Sequence, residues 1–157
     1  MRRLALRPRT RAELEGALRD HAVDTVVVRE ILDRYDEVGL IDDEAFALAW
    51  VTSRHHGKGL ARRALARELR NKGVADETVG QALAVVDDAT EATTARALVS
   101  RKLRTIRDDR SDAVFRRLVG MLARKGYAPG LAIEVVREAM AGRPGVDDIA
   151  DGIDNDA

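Results

Sequence analysis

A set of apolar positions recurs along this chain in fixed register, and that recurrence limits what the chain can fold into more than any single motif does. Leu14, Leu18 and Val23 return 51 residues later as Leu65, Leu69 and Val74, and 53 residues after that as Leu118, Leu122 and Tyr127. The register continues through the segment that follows. Val28, Ile31, Leu32 and Tyr35 correspond to Val79, Ala82, Leu83 and Val86, then to Ala132, Val135, Val136 and Ala139. Spacing of i, i+3, i+4, i+7 is the stripe of an amphipathic helix, and it outweighs the strand propensity of Val26-Val27-Val28. A third element recurs as WVTSR at 50–54 and ALVSR at 97–101. Each repeat reads as three helices whose stripes can be covered only by neighbouring helices.

Local punctuation sets the boundaries. Thr10 with Glu13 has the capping-box pattern, Asp24, Asp42 or Asp43, Asp76 and Asp87 or Asp88 stand where N-caps are needed, and Gly39, Gly73 and Gly126 stand where helices should stop. The predicted helices are 10–21, 24–38, 42–55, 60–72, 76–87, 89–107, 111–125 and 129–141. The expected fold is all-α, an elongated array of three degenerate three-helix repeats. Repeat one is 1–40, truncated, with at most a stub LALR in place of its opening helix; repeat two is 41–87 and repeat three 88–142. The tail 143–157, with Gly, Pro and five Asp, is expected to be disordered. Aromatics at 3% against 34% charged residues suit exposed helices better than a β-sandwich.

Several chemistries are disfavoured. The absence of cysteine rules out a disulfide framework, a thiolate zinc site and a thiol nucleophile. No segment has the length and hydropathy of a secretory core or a membrane span, and a cytoplasmic protein with no membrane association is expected. His55 and His56 lie about 100° apart on a helix, read here as a surface helix end rather than a metal pair. The Asp pairs at 42–43, 87–88 and 108–109 could bind Mg²⁺, but two of them precede helices and are explained by capping. No nucleophile–base arrangement is evident, so neither catalytic residues, metal nor cofactor is expected. Tyr35 and Tyr127 fall on repeat-core positions, and Trp50 is read as packing before base stacking.

Charge is distributed unevenly although the formal net is zero. Five of the 27 acidic residues lie beyond Arg143 with no Lys or Arg among them, leaving 27 basic residues against 22 acidic ones upstream. The densest cluster is Arg54, Lys58, Arg62, Arg63, Arg67, Arg70 and Lys72 against the single acid Glu68. On one helix Arg63, Arg67 and Arg70 form a row at i, i+4, i+7 opposite Ala61, Leu65 and Leu69. Like charges four apart cost helix stability, so either a partner's phosphates and carboxylates or plain solvation accounts for the row. A second basic set, Arg116, Arg117, Arg124 and Lys125 preceded by Arg101, Lys102, Arg104 and Arg107, follows one repeat later. Gly57-Lys58-Gly59 lacks Walker A spacing, with Leu60 where Ser or Thr would stand, and reads as a flexible hinge.

These features together, IDDEAFALAWVTSRHHGKGLARRALARELRNKGV at 41–74 followed by RRLVGMLARKGY at 116–127, resemble the RecX family over about residues 5–141. The resemblance implies a monomeric modulator of the RecA recombinase that lies along the RecA–single-stranded-DNA filament. It would inhibit filament growth, ATP hydrolysis and strand exchange, with consequences for DNA repair, recombination and the SOS response. Two departures stand out: His21-Ala22 replaces the Lys-Gly seen at 72–73 and 125–126, and the first helix is cut short. A helical DNA-binding protein acting without the recombinase is the alternative.

Overall fold

The computed structural model describes residues 7–107 and 110–154. Among them the chain forms nine helices and no strand: α1 Arg11–Asp20, α2 Thr25–Glu37, α3 Asp43–Lys58, α4 Arg62–Asn71, α5 Asp76–Leu83, α6 Asp88–Leu103, α7 Ser111–Arg124, α8 Pro129–Ala139 and α9 Val146–Asp154. The all-α expectation is met, and the valine run at 26–28 lies within α2. The stub at 4–7, apart from Arg7, and the pair Asp108-Asp109 lie outside the described residues.

Capping follows local chemistry. Thr10 and Glu13 make both bonds of the capping box, Asp24 accepts from the Val26 N–H at 2.8 Å, Asp42 from Ala45 at 3.0 Å, and Asp87 from Thr90 at 2.7 Å. Asp76 departs from its expected role. It is the first residue of α5, Ala75 is the cap without a side-chain bond, and the Asp76 carboxylate accepts instead from Arg70 Nε at 2.8 Å.

The residues group into two compact units, Met1–Ser53 with Ala66–Val85, and Arg54–Leu65 with Val86–Ala157. In the first, α1 packs on α2, and Val28, Leu32 and Ile41 form a small core flanked by Leu14, Leu18 and Val23. The core of the second is larger: Ala95 and Val99 of α6, Phe115, Leu118 and Leu122 of α7, Tyr127, and Val135 and Val136 of α8. Phe115 and Leu118 are wholly shielded and Tyr127 is 2% exposed. Tyr35 was expected on a core position but is 40% exposed. The packing face of α2 is narrower than its apolar stripe, and Val28 and Leu32 alone fill it.

The acidic tail corrects the expectation of disorder. Val146 is buried and Ile149 packs against the α6–α8 core, while Asp151 accepts from Arg137 at 2.9 Å. Val146 and Ile149, three apart, lie on the seated face of α9, and the count of aspartates concealed them.

Two helix ends lead to stability predictions. Ala22, which replaces the glycine of the other repeats, sits at φ +56, where a Cβ is strained. Ala22→Gly should stabilise the protein by about 1 kcal/mol in urea unfolding. Gly126 has φ +92, and a Cβ there would come within 2.6 Å of the Ala64 backbone nitrogen. Gly126→Ala should cost about 2 kcal/mol or more by the same measurement, whereas Gly130→Ala, in open space on α8, should cost nothing.

Candidate functional site

The Lys-Gly stops are half of a joint that occurs once in each unit. In the first unit Thr10 Oγ1 donates to the Lys72 carbonyl at 2.7 Å, and Gly73 stands so close to α1 that a Cβ would lie 2.3 Å from that of Ala12. In the second the Ala61 N–H donates to the Lys125 carbonyl at 2.9 Å, and Gly126 sits against Ala64. One residue on, the Arg11 N–H donates to Asp43 Oδ1 at 3.0 Å and the Arg62 N–H to Glu91 Oε1 at 2.8 Å. Both arginines also use their guanidinium groups locally, Arg11 on Asp33 and Asp36, Arg62 on Glu91 and Asp88. The hydrogen bond to Asp33 is the largest influence on the Arg11 guanidinium and raises its pKa above the ordinary value, and that to Glu91 does the same for Arg62. Each helix N-terminus of this kind is thus satisfied by a carboxylate and a carbonyl from later in the chain.

The joints sort the predicted cations. Arg62 and Lys72 are engaged inside the protein: Lys72 pairs with Glu13 at 2.8 Å and its ammonium lies 4.7 Å from the Trp50 ring centre. Trp50, half-buried, stacks on Phe46 and donates from Nε1 to Glu68 at 3.2 Å, which agrees with a packing role. Arg70 makes an exposed pair with Asp76, and Arg54 is half-buried and has interactions of its own. Arg63 and Arg67 on α4, Arg116, Arg117 and Arg124 on α7, and Arg101, Arg104 and Arg107 at the end of α6 and just beyond it are all exposed; Lys102 is half-buried. Cations in the last turns of α6 and α7 also favour their helix dipoles. Arg63 and Arg67, away from the α4 C-terminus, have no such local explanation.

The structure brings three of the predicted residues together. Lys58 from the end of α3, Arg101 from α6 and Lys125 after α7 line one concavity of about 210 Å³ around the Gly57–Gly59 segment, together with Thr94, Leu98 and both histidines. Among the described residues no Asp or Glu lines it. The segment is not a flexible hinge as expected. Helix α3 continues through Lys58, Gly59 turns at φ +65, and the Gly59 carbonyl accepts from the buried Tyr127 hydroxyl at 2.8 Å. Lys125 Nζ donates to the Lys58 carbonyl at 2.7 Å.

His55 corrects the reading of a surface helix end. It is 5% exposed, with Nδ1 2.8 Å from the Leu60 carbonyl and Nε2 3.0 Å from Thr94 Oγ1. A carbonyl can only accept, so Nδ1 carries hydrogen, and in the neutral ring Nε2 accepts from the Thr94 hydroxyl. His56 is exposed, as expected. No spacing rule marks His55, Thr94 or Glu91 in advance. For Arg62 a signal exists in the register, since it stands 51 residues after Arg11 and repeats that residue's role. Among the described residues no group of three or more His, Asp or Glu comes together as a metal site, and no helix is long and apolar enough to cross a membrane.

Two predictions come from these contacts. Tyr127→Phe removes one hydroxyl and leaves the Gly59 carbonyl unpaired, an expected loss of about 1 kcal/mol in urea unfolding. Burial works to raise the Glu13 carboxyl, but the Lys72 ammonium and the Thr10 N–H outweigh it and hold Glu13 below the usual carboxylate range. Its stabilising contribution is present at neutral pH and is lost as the pH falls through and below that range. Glu13→Gln should therefore lower Tm at pH 7, and the gap to the parent protein should close on acidification.

Comparisons with known proteins place this chain. The family model for the second three-helix domain of RecX matches residues 42–83, from the residue before α3 to the end of α5. Regulatory protein RecX of Streptomyces lividans is 54% identical over 140 residues, covering 89% of this chain and 74% of that protein. The Thermobifida fusca protein of the same name is 51% identical over 140 residues, covering 89% and 76%. The crystal structure of RecX from Lactobacillus salivarius superposes with a TM-score of 0.75 at 21% identity, over 86% of this chain and 88% of that one, a likeness of fold. With identities above one half across nine-tenths of its length, the chain belongs to the RecX family of regulatory proteins.

Proposed function

We propose that this protein regulates the RecA recombinase by binding the RecA–single-stranded-DNA filament and inhibiting its ATP hydrolysis, growth and strand exchange. The observation that carries the reading is the exposed Arg63 and Arg67 on α4, within the segment that matches the family model. Arg70 extends the row, and its pairing with Asp76 is solvent-exposed on both sides and therefore weak. A row of guanidinium groups suits both partners in such a filament, carboxylates on protein and phosphates on DNA. Arg101, Lys102, Arg104, Arg116, Arg117 and Arg124 add a second set of contacts. The protein acts in the cytoplasm as a monomer, by occupancy and without turnover. Arg62 and Lys72 serve the joints and are left out of the binding surface.

The test is the DNA-dependent ATPase rate of the cognate RecA at substoichiometric amounts of this protein. Inhibition is expected well below one copy per RecA protomer. Arg63→Glu, Arg67→Glu and Arg70→Glu combined should weaken it at least tenfold while circular dichroism shows unchanged helicity. Full inhibition by that variant would reject the assignment of the face. No effect of the parent protein on ATP hydrolysis, with salt-sensitive binding to DNA alone, would instead support the DNA-binding alternative.

A further inference from the structure

We infer that the concavity at the Gly57–Gly59 segment is a phosphate site, and that its ligand is the backbone of a single-stranded nucleic acid. The inference deepens the proposed function by assigning the nucleic-acid contact to one place. Three cations from sequence-distant segments converge there, and among the described residues no carboxylate lines the concavity. Three other surface hollows that gather cations each include an acid: Glu138 beside Arg96 and Arg104, Asp42 beside Arg7 and Arg9, and Glu13 beside the same pair.

The donors that remain suit an anion. Lys125 uses one ammonium N–H on the Lys58 carbonyl, which fixes its position, cancels an unpaired acceptor at the end of α3, and leaves two donors. Arg101 and Lys58 are exposed and have no carboxylate partner among the described residues. The floor is rigid, since His55 joins Leu60 to Thr94, Tyr127 holds Gly59, and Leu98 fills the space beside Gly59 so closely that a Cβ would meet it at 2.9 Å. A preorganised floor lowers the ordering cost of binding. Among the described residues no Phe, Tyr or Trp lines the concavity, and His55 is buried with both ring nitrogens engaged, so the cations address the backbone, and binding should be indifferent to sequence. A polynucleotide is favoured over a free anion because Lys58 and Arg101 are exposed, and a shallow, open site gains from tethered neighbouring phosphates what it lacks in enclosure.

The experiment measures binding of a fluorescent oligothymidylate to the full chain by anisotropy across a salt series, with no recombinase present, so that its outcome is independent of the ATPase test. Lys58→Gln with Arg101→Gln removes two contacts and should reduce the slope of log affinity against log salt by about 1.4. Affinity at low salt should fall about tenfold or more. Arg29→Gln with Arg34→Gln, an equal loss of charge on exposed α2 positions, should leave the slope unchanged. Equal behaviour of the two double variants, each checked for an unchanged Tm, would overturn the site. Inorganic phosphate is the second probe. Displacement of the oligonucleotide by phosphate at an equal total phosphate concentration would assign the site to a free anion and overturn the nucleic-acid ligand, whereas persistence of the complex supports it.

Discussion

The structure depends on one recurring joint: a helix N-terminus where a carboxylate from later in the chain accepts from a backbone N–H and a carbonyl from later in the chain accepts from the cap, from the Thr10 hydroxyl in one unit and from the Ala61 N–H in the other. Unsatisfied N–H groups at a helix start are costly wherever water is displaced, and amphipathic helices must displace water to pack. The joint answers both requirements. Lys72 and Lys125 supply the carbonyls, Asp43 and Glu91 the carboxylates, and Gly73 and Gly126 remove the Cβ that would hold the elements apart. The Arg62 guanidinium also pairs with Glu91, so that this partly buried negative charge is matched within hydrogen-bond distance, whereas the Arg11 guanidinium turns to Asp33 and Asp36.

This arrangement decides which cations are available to a partner. A count of basic residues treats Arg62 and Arg63 alike, though they are neighbours on one helix. Arg62 faces Glu91 and Asp88, whereas Arg63 faces water. The same division separates Lys72, lodged between Glu13 and the Trp50 ring, from exposed Arg67. What remains outside is a set of arginines on α4 and α7 and at the end of α6, together with one concavity that no carboxylate lines among the described residues. Those features fit a protein that engages extended anionic surfaces, and the family to which the chain belongs consists of regulatory proteins.

Helix content, helix limits to within a few residues, the repeat register and most of the core were legible in the sequence, because each depends on neighbours within one or two helical turns. The capping box at Thr10 and the stripe of Leu65 and Leu69 are of this kind. Composition misled where it averaged over local pattern. Five aspartates made 143–157 read as disordered, while Val146 and Ile149 seat a helix there. The Gly-Lys-Gly segment read as a hinge because its bracing groups, Thr94 and Tyr127, are distant in sequence.

The sequence by itself therefore determined an all-helical repeat chain, its helix limits and the row of arginines on α4, since hydrophobic period and capping act over short separations. The tertiary structure alone decided that His55 is buried, that Arg62 and Lys72 belong to joints, and that Lys58, Arg101 and Lys125 share one concavity. Arg62 and Glu91 are 29 positions apart, and Lys58 and Lys125 are 67 apart. No local rule connects such pairs, because their approach is set by how the helices pack.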